Sequence, residues 1–224
     1  MMAERIVLFG GTFDPVHNGH LIAARAVAEQ RQYRRVTLVP SARGPHKGPA
    51  AASDADRLKM LNLAVEGEGM FEVSQAELQR PAPSYTFDTL EAIHQAGGDD
   101  TQIDLVIGAD MLADLCNWYR ADDVVKLARL VIAARPPWHE KTGAISALLA
   151  ERFGKHVAAD LLVGICTTPL IDISSSEIRE RLSAGLPIRY MVPDAVEEYI
   201  KSRGLYLPDE SNDSDGGEKT DSDR

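Results

Sequence analysis

Arg5-Ile6-Val7-Leu8-Phe9-Gly10-Gly11-Thr12-Phe13-Asp14-Pro15-Val16-His17-Asn18-Gly19-His20 is the stretch whose reading decides the fold. Its first five residues form a compact apolar run stopped by two glycines, the pattern of a parallel strand buried on both faces and ended by a functional turn. From Asn18 to Gln30, apolar Leu21, Ile22, Ala24 and Val27 recur at helical spacing. Strand, glycine turn and helix make the first half of a β-α-β unit.

The alternation continues downstream. Val36 to Val39 reads as a strand ending at Pro40, followed by a Gly/Pro/Ala-rich loop from Ser41 to Ala52 and a helix from Asp54 to Val65, with Leu58, Leu61 and Val65 on one side. Phe71 to Ser74 is the next expected strand, Tyr85 to Gln95 a helix opened by Pro83-Ser84, and Ile103 to Ile107 a buried strand ended by Gly108. Short helices around Met111 to Cys116 and Asp122 to Lys126 lead to a strand from Leu130 to Ala133, and Leu161 to Ile165 reads as one more. The pattern predicts an α/β, Rossmann-like, doubly wound and mostly parallel sheet with helices on both faces. Ligands in such sheets bind beyond the C-terminal strand ends, at the switch point. Chemistry is therefore expected at the turns after Phe9, Val39, Ile107 and Ile165.

With 224 residues, 44% hydrophobic and 26% charged, the chain has the composition of one globular α/β domain rather than a disordered, collagenous or cysteine-stapled protein. We expect a single domain over residues 1–207 and an acidic disordered tail over 208–224. The tail has no aliphatic or aromatic residue after Leu207, so it cannot bury surface to offset its ordering entropy. It carries seven acids against two bases, half of the formal net charge of −10. The remaining surface is only mildly acidic, so duplex nucleic acid is not an expected partner, while a local phosphate pocket is compatible with it. Cys116 and Cys166 lie far apart and form no CxxC, which supports neither a zinc ribbon nor a disulfide framework. The apolar run after Met1 is too short for a signal peptide core or a membrane span. A cytoplasmic protein is expected, and a homo-oligomer stays open.

In the turn, free backbone N–H groups, the positive end of a helix dipole and the imidazoles of His17 and His20 converge, which makes an anion site. The GxGxxG dinucleotide fingerprint is missing, and no GK[ST] of a Walker A loop occurs. His17 and His20 share a face if the helix begins near Asn18. Two imidazoles donating to phosphate oxygens can stabilise charge during in-line attack without a covalent intermediate. An isolated HxxH is equally what a capped helix start with one packed histidine looks like. The other four histidines show no ligand spacing that would complete a metal site, and no protein metal ligands are assigned.

Ile173-Ser174-Ser175-Ser176-Glu177-Ile178-Arg179 forms a second cluster. Ser174 and Glu177 have capping-box spacing, with Ile173 and Ile178 as a hydrophobic staple. Three hydroxyls and Arg179 exceed what capping requires and suit a polyphosphate. Pro45-His46-Lys47 lies in the loop after the second strand, where a cation could meet a phosphate or simply be solvated. Ser84-Tyr85-Thr86-Phe87-Asp88-Thr89 reads as a helix cap. At Gly108-Ala109-Asp110 a carboxylate at a strand end can accept from a ribose diol. Trp118-Tyr119 offers rings for a flat heterocycle, although core packing is the commoner use of tryptophan.

The stretches GGTFDPVHNGHL (Gly10 to Leu21), LVPSARGPHK (Leu38 to Lys47), PSYTFDTL (Pro83 to Leu90), IGADML (Ile107 to Leu112), Trp118-Tyr119 and ISSSEIRERL (Ile173 to Leu182) carry a resemblance. From about Arg5 to Tyr206 the sequence resembles the bacterial nicotinate mononucleotide adenylyltransferases of the HxGH nucleotidyltransferase superfamily. HxGH and SSSxIR indicate only the superfamily; PSYTxDTL, GADML and Trp118 narrow it. VPDAVEEYIKSRGLY (Val192 to Tyr206) is also similar to the family's ending. The resemblance implies transfer of AMP from ATP to nicotinate mononucleotide, with Mg²⁺ on the ATP phosphates. By likeness, His17, His20 and Arg179 are the catalytic set. Gly10, Gly11, Thr12, Phe13, Gly108, Asp110, Ser174, Ser175, Ser176 and Ile178 fall on the ATP side. His46, Lys47, Ser84, Tyr85, Thr86, Trp118 and Tyr119 fall on the mononucleotide side. Arg135-Pro136-Pro137 departs from the family's Arg-Pro-Gly, and the acidic tail has no counterpart in its pattern. A sister transferase taking nicotinamide mononucleotide, phosphopantetheine or glycerol phosphate, some with CTP, is the nearest rival. A nucleotide-sensing module on the same fold would tolerate loss of His17, His20 or Arg179, and all three are present.

Overall fold

The computed structural model describes residues 5–42, 50–81, 83–98, 100–112, 114–134 and 142–208. Its strands are β1 (Arg5–Gly11), β2 (Val36–Pro40), β3 (Phe71–Val73), β4 (Gln102–Gly108), β5 (Arg129–Ala134) and β6 (Ile165–Thr167). They form one parallel sheet in the order β3-β2-β1-β4-β5-β6. The helices are α1 (Asn18–Arg31), α2 (Asp54–Ala64), α3 (Thr86–Gly97), α4 (Ala109–Leu112), α5 (Ala121–Leu127), α6 (Thr142–Phe153), α7 (Lys155–Val163), α8 (Ser175–Ser183) and α9 (Asp194–Arg203), with a 3-10 turn at Asp114–Asn117. Strand order reverses between β1 and β4, so the switch point lies beyond Gly11 and Gly108. Among the described residues no helix is long and apolar enough to cross a membrane.

Successive strand side chains point to opposite faces, and this period of two divides the core. Val7 and Phe9 of β1 join Ala24 and Val27 of α1, Met60 and Leu61 of α2, Ile178 and Leu182 of α8 and Ile200 of α9. Leu8, one residue out of phase, joins Leu105 and Ile107 of β4, Leu90 of α3, Val124 of α5, Leu149 of α6 and Leu161 of α7. Helices therefore cover both faces, as a strand apolar at every position requires.

One expected strand is corrected. Leu161 to Val163 ends α7, and β6 starts only at Ile165. A short apolar run fits a strand and a buried helix end equally well, and Ala158 and Leu161, three apart and both buried, reveal the helical face. The Arg135-Pro136-Pro137 turn, and the tail beyond Pro208, lie outside the described residues.

At the N-terminal end of the sheet Asp104 of β4 is 1% exposed between two strands that each bring it an arginine. Arg5 Nη1 donates to both its oxygens at 3.0 and 3.1 Å, Arg129 Nε at 2.9 Å, and Tyr33 Oη and Arg129 Nη2 also donate to it. Burial pushes the carboxyl up, but the hydrogen bonds from Arg129, Tyr33 and Arg5 outweigh it and hold Asp104 below its ordinary value. A depressed folded-state pKa means stability that is complete above about pH 5 and drains away as pH falls through the folded value. Asp104→Asn leaves two arginines facing a neutral amide. It should lower stability by roughly 3 kcal/mol at neutral pH, the lower end for breaking a buried pair because both guanidiniums are partly exposed. Denaturant melts of both proteins between pH 7 and pH 3 check this: the difference should shrink toward acid, and a constant difference contradicts the assignment.

Candidate active site

The β1–α1 turn ends at His17, which has extended backbone angles and serves as the N-cap of α1. The cap is a reciprocal box made of imidazoles. His17 Nδ1 accepts from the His20 backbone N–H at 3.3 Å, and His20 Nδ1 accepts from the His17 backbone N–H at 3.3 Å. The rings stack with centroids 3.7 Å apart, and the edge of Phe13 packs on His20 at 4.9 Å. With each Nδ1 accepting, the ring proton of each histidine sits on Nε2, so both rings are Nε2–H donors. Gly19 gives them room, because a Cβ there would stand 3.0 Å from the His17 ring and push it by a few tenths of an ångström. The capping reading of HxxH is what the structure shows, and it leaves both rings in the tautomer that the expected anion site would use.

Helix α8 brings its N-terminus to the same turn. Ser175 Oγ donates to the Pro15 carbonyl at 2.9 Å, and Arg179 Nη1 donates to the Asp14 carbonyl at 2.7 Å. Arg179 Nη2 also donates to Ser176 Oγ at 3.2 Å. Ser174 caps α8 by accepting from the Glu177 N–H at 3.1 Å, but among the described residues no return bond from the Glu177 side chain forms, so only half of the expected box exists. Ile178 is fully buried and joins α8 to the core; its side chain does not face the turn's surface. The turn itself is locked from below. The Asp14 carboxylate accepts from Ala51 N at 2.7 Å, from Ala52 N at 3.0 Å and from Tyr206 Oη at 2.7 Å. Burial, then Asp14, pushes the Tyr206 phenol far above its ordinary value. Arg57 Nη1 donates to the Thr12 carbonyl at 2.6 Å.

Across the switch point, Asp110 at the start of α4 is exposed, and its carboxylate folds back over Gly108, occupying the place where a Cβ would stand. Tyr85 caps α3 without a side-chain bond, and its ring lies 4.3 Å from that of Tyr119. Trp118 is half-buried against the core that contains Leu115. Thr86 lines a narrow pocket with Gly10, Val39, Glu77 and Thr89, which brings the α3 start alongside the end of β1. Ser84 accepts from Arg80 Nη2 at 3.1 Å rather than capping the helix. Beneath, Thr89 Oγ1 donates to buried Glu77 at 2.8 Å, and burial pushes Glu77 up despite Thr89 and the Arg80 charge. His46 and Lys47 lie outside the described residues.

The sequence reading named Asp14, Tyr206 and Thr89 only within longer stretches and passed over Arg57, Glu77 and Arg80. The partners of Asp14, Tyr206 and Arg57 come from 37 to 192 positions away, and no local pattern reports such pairings. Glu77 and Arg80 precede Thr89 by a short distance, but charged residues beside a loop look solvated in sequence.

Residues 8–181 match the family described as Cytidylyltransferase-like. A relative from Thermomicrobium roseum, named probable nicotinate-nucleotide adenylyltransferase, is 40% identical over 91% of this chain and 92% of its own. One of the same name from Pseudomonas fluorescens is 40% identical over 92% of this chain and 98% of its own. The Plasmodium falciparum nicotinic acid mononucleotide adenylyltransferase complexed with NaAD shares the fold, with a TM-score of 0.69 at 16% identity, over 91% of this chain and 97% of that one. The fold and the length of these matches agree: the chain belongs to the cytidylyltransferase-like family and, within it, to the nicotinate-nucleotide adenylyltransferases.

Proposed function

We propose that this chain transfers AMP from ATP to nicotinate mononucleotide, releasing pyrophosphate and forming nicotinate adenine dinucleotide, with residues 1–207 acting as one transferase domain in the cytoplasm. An oxygen of the mononucleotide phosphate attacks the α-phosphorus of ATP in line. The new P–O bond forms as the bond to the bridging oxygen of pyrophosphate breaks. A phosphate monoester has its second pKa near 6, so the nucleophile is already an anion and no strong base is needed. Catalysis is then positioning and charge stabilisation.

The observation that carries this reading is the meeting of two helix N-termini, the stacked His17–His20 pair and Arg179 at one turn on the switch point. In this reading the two Nε2–H groups and Arg179 stabilise the charge that grows on the phosphates. Gly10, Gly11, Thr12 and Phe13 supply the backbone cradle, and Ser174, Ser175 and Ser176 the α8 end of the ATP site. Gly108 and Asp110 take the adenosine ribose. Thr86, Trp118, Tyr119, Ser84 and Tyr85 frame the pyridine, and His46 and Lys47 meet the mononucleotide phosphate.

Among the described residues no three His, Cys, Asp or Glu side chains cluster as a metal site, and both Asp14 oxygens are committed to Ala51, Ala52 and Tyr206. That donor set fits Mg²⁺ carried in on the triphosphate rather than caged by protein; bound there it would neutralise part of the phosphate charge.

His20→Ala should lower kcat by about 10²–10³, the usual effect of removing one transition-state donor. His17→Asn keeps a good N-cap while removing the imidazole, and it should fall as far with a melting temperature within a few degrees of wild type. Steady-state pyrophosphate release with a parallel thermal melt checks both, and a folded His17→Asn with wild-type kcat removes His17 from the catalytic set. In a panel of ATP or CTP against nicotinate mononucleotide, nicotinamide mononucleotide, phosphopantetheine and glycerol phosphate, ATP with nicotinate mononucleotide should turn over fastest. Turnover of phosphopantetheine alone would overturn the acceptor assignment, and no turnover at all would favour a nucleotide-sensing module.

A further inference from the structure

Arg57 is the largest of the fully buried side chains among the described residues, 1% exposed, and it belongs to α2, outside every element assigned to substrate above. A buried cation is costly unless it is hydrogen-bonded and paired. Its carboxylate partner, Asp54 at 2.7 Å, is 57% exposed, and its Nε has no acceptor among the described residues. Its other bond goes to the main chain of the phosphate-site turn, from Nη1 to the Thr12 carbonyl at 2.6 Å.

That carbonyl matters because C=O and N–H of a trans peptide point in opposite directions. Holding the Thr12 oxygen inward toward α2 turns the Phe13 N–H away from the interior. Phe13 follows with φ 49, the left-handed region that a non-glycine residue enters only when its surroundings hold it there. The Phe13 ring packs edge-on against both Phe9, at 5.9 Å, and His20, at 4.9 Å. A displacement of the Thr12–Phe13 peptide is therefore passed through one ring to the imidazole.

We propose that Arg57 is a positioning residue: from within the core its guanidinium holds the Thr12 carbonyl, and through the Thr12–Phe13 peptide it sets the backbone donor and the His20 ring at the phosphate site. The inference rests on the adenylyltransferase reading above for its kinetic consequence, but not for its geometric one. Lysine keeps the charge and one donor but not the planar fork; methionine keeps only the stem.

The test uses the full chain with Arg57→Lys and Arg57→Met, measuring kcat, the KM for ATP, thermal melts and the histidine ring NMR signals, with His20 identified from a His20→Ala spectrum. Misplacement of catalytic groups by about 1 Å costs on the order of 10² in rate. Expected is kcat falling in the order wild type, Lys, Met, by about a hundredfold at Met, with KM for ATP within about threefold and the His20 signal shifted in both variants. A folded Arg57→Met with wild-type kcat and an unmoved His20 signal overturns the proposal, as does a kcat loss without any His20 shift. Should Arg57→Met fail to fold, Arg57→Lys decides: a fivefold or greater loss of kcat with a shifted His20 signal supports the role, and wild-type behaviour refutes it. If wild type itself releases no pyrophosphate, the functional reading fails while the His20 shift alone decides the positioning role.

Discussion

Three carbonyl oxygens of a single turn, those of Thr12, Asp14 and Pro15, are taken by side chains of two helices, Arg57 of α2 and Ser175 and Arg179 of α8. Backbone polar groups that leave water need partners, and here the partners are charged or hydroxyl groups delivered from elsewhere in the chain. With carbonyls drawn away, what the turn has left to offer a ligand is N–H groups and the start of α1. On the proposed reading, the anion site is made as much by what occupies the oxygens as by the residues that would touch a phosphate.

On the proposed reading, the same turn lets a chain with formal net charge −10 hold a triphosphate. Helix N-termini supply partial positive charge over a few ångströms, and neutral Nε2–H donors add direction without adding net charge. The acidic groups have their own partners: the Asp14 carboxylate accepts two backbone bonds and a phenol, and at the far end of the sheet Asp104 is paired with two arginines.

What the sequence disclosed follows from the range of each interaction. β1 and α1 were legible because a run of apolar residues, a glycine pair and a helical stripe are local signals, and their alternation with further strands and helices implied a mostly parallel sheet, though not its strand order. His17 and His20 were legible as a pair, but whether they cap or bind anions was not, since capping depends on backbone angles that spacing alone leaves undetermined. Leu161 to Ile165 misled because so short an apolar run, Leu-Leu-Val-Gly-Ile, fits either periodicity. The half-formed box at Ser174 shows the opposite failure: the spacing is right, yet the Glu177 side chain does not return its bond. The roles of Arg57 and Tyr206 left no trace, because a charged residue in a helix and a tyrosine near a terminus look solvated until the fold delivers their partners.

The bond from Tyr206 to Asp14 spans 192 positions and ties the final turn of the described chain to its first loop. During translation the two ends are separated by roughly 10 to 40 seconds of elongation. Throughout that interval the nascent polypeptide has made its histidines but not the phenol that holds Asp14 of their turn. A chain arrested shortly before Tyr206 would carry every assigned side chain while lacking this tether.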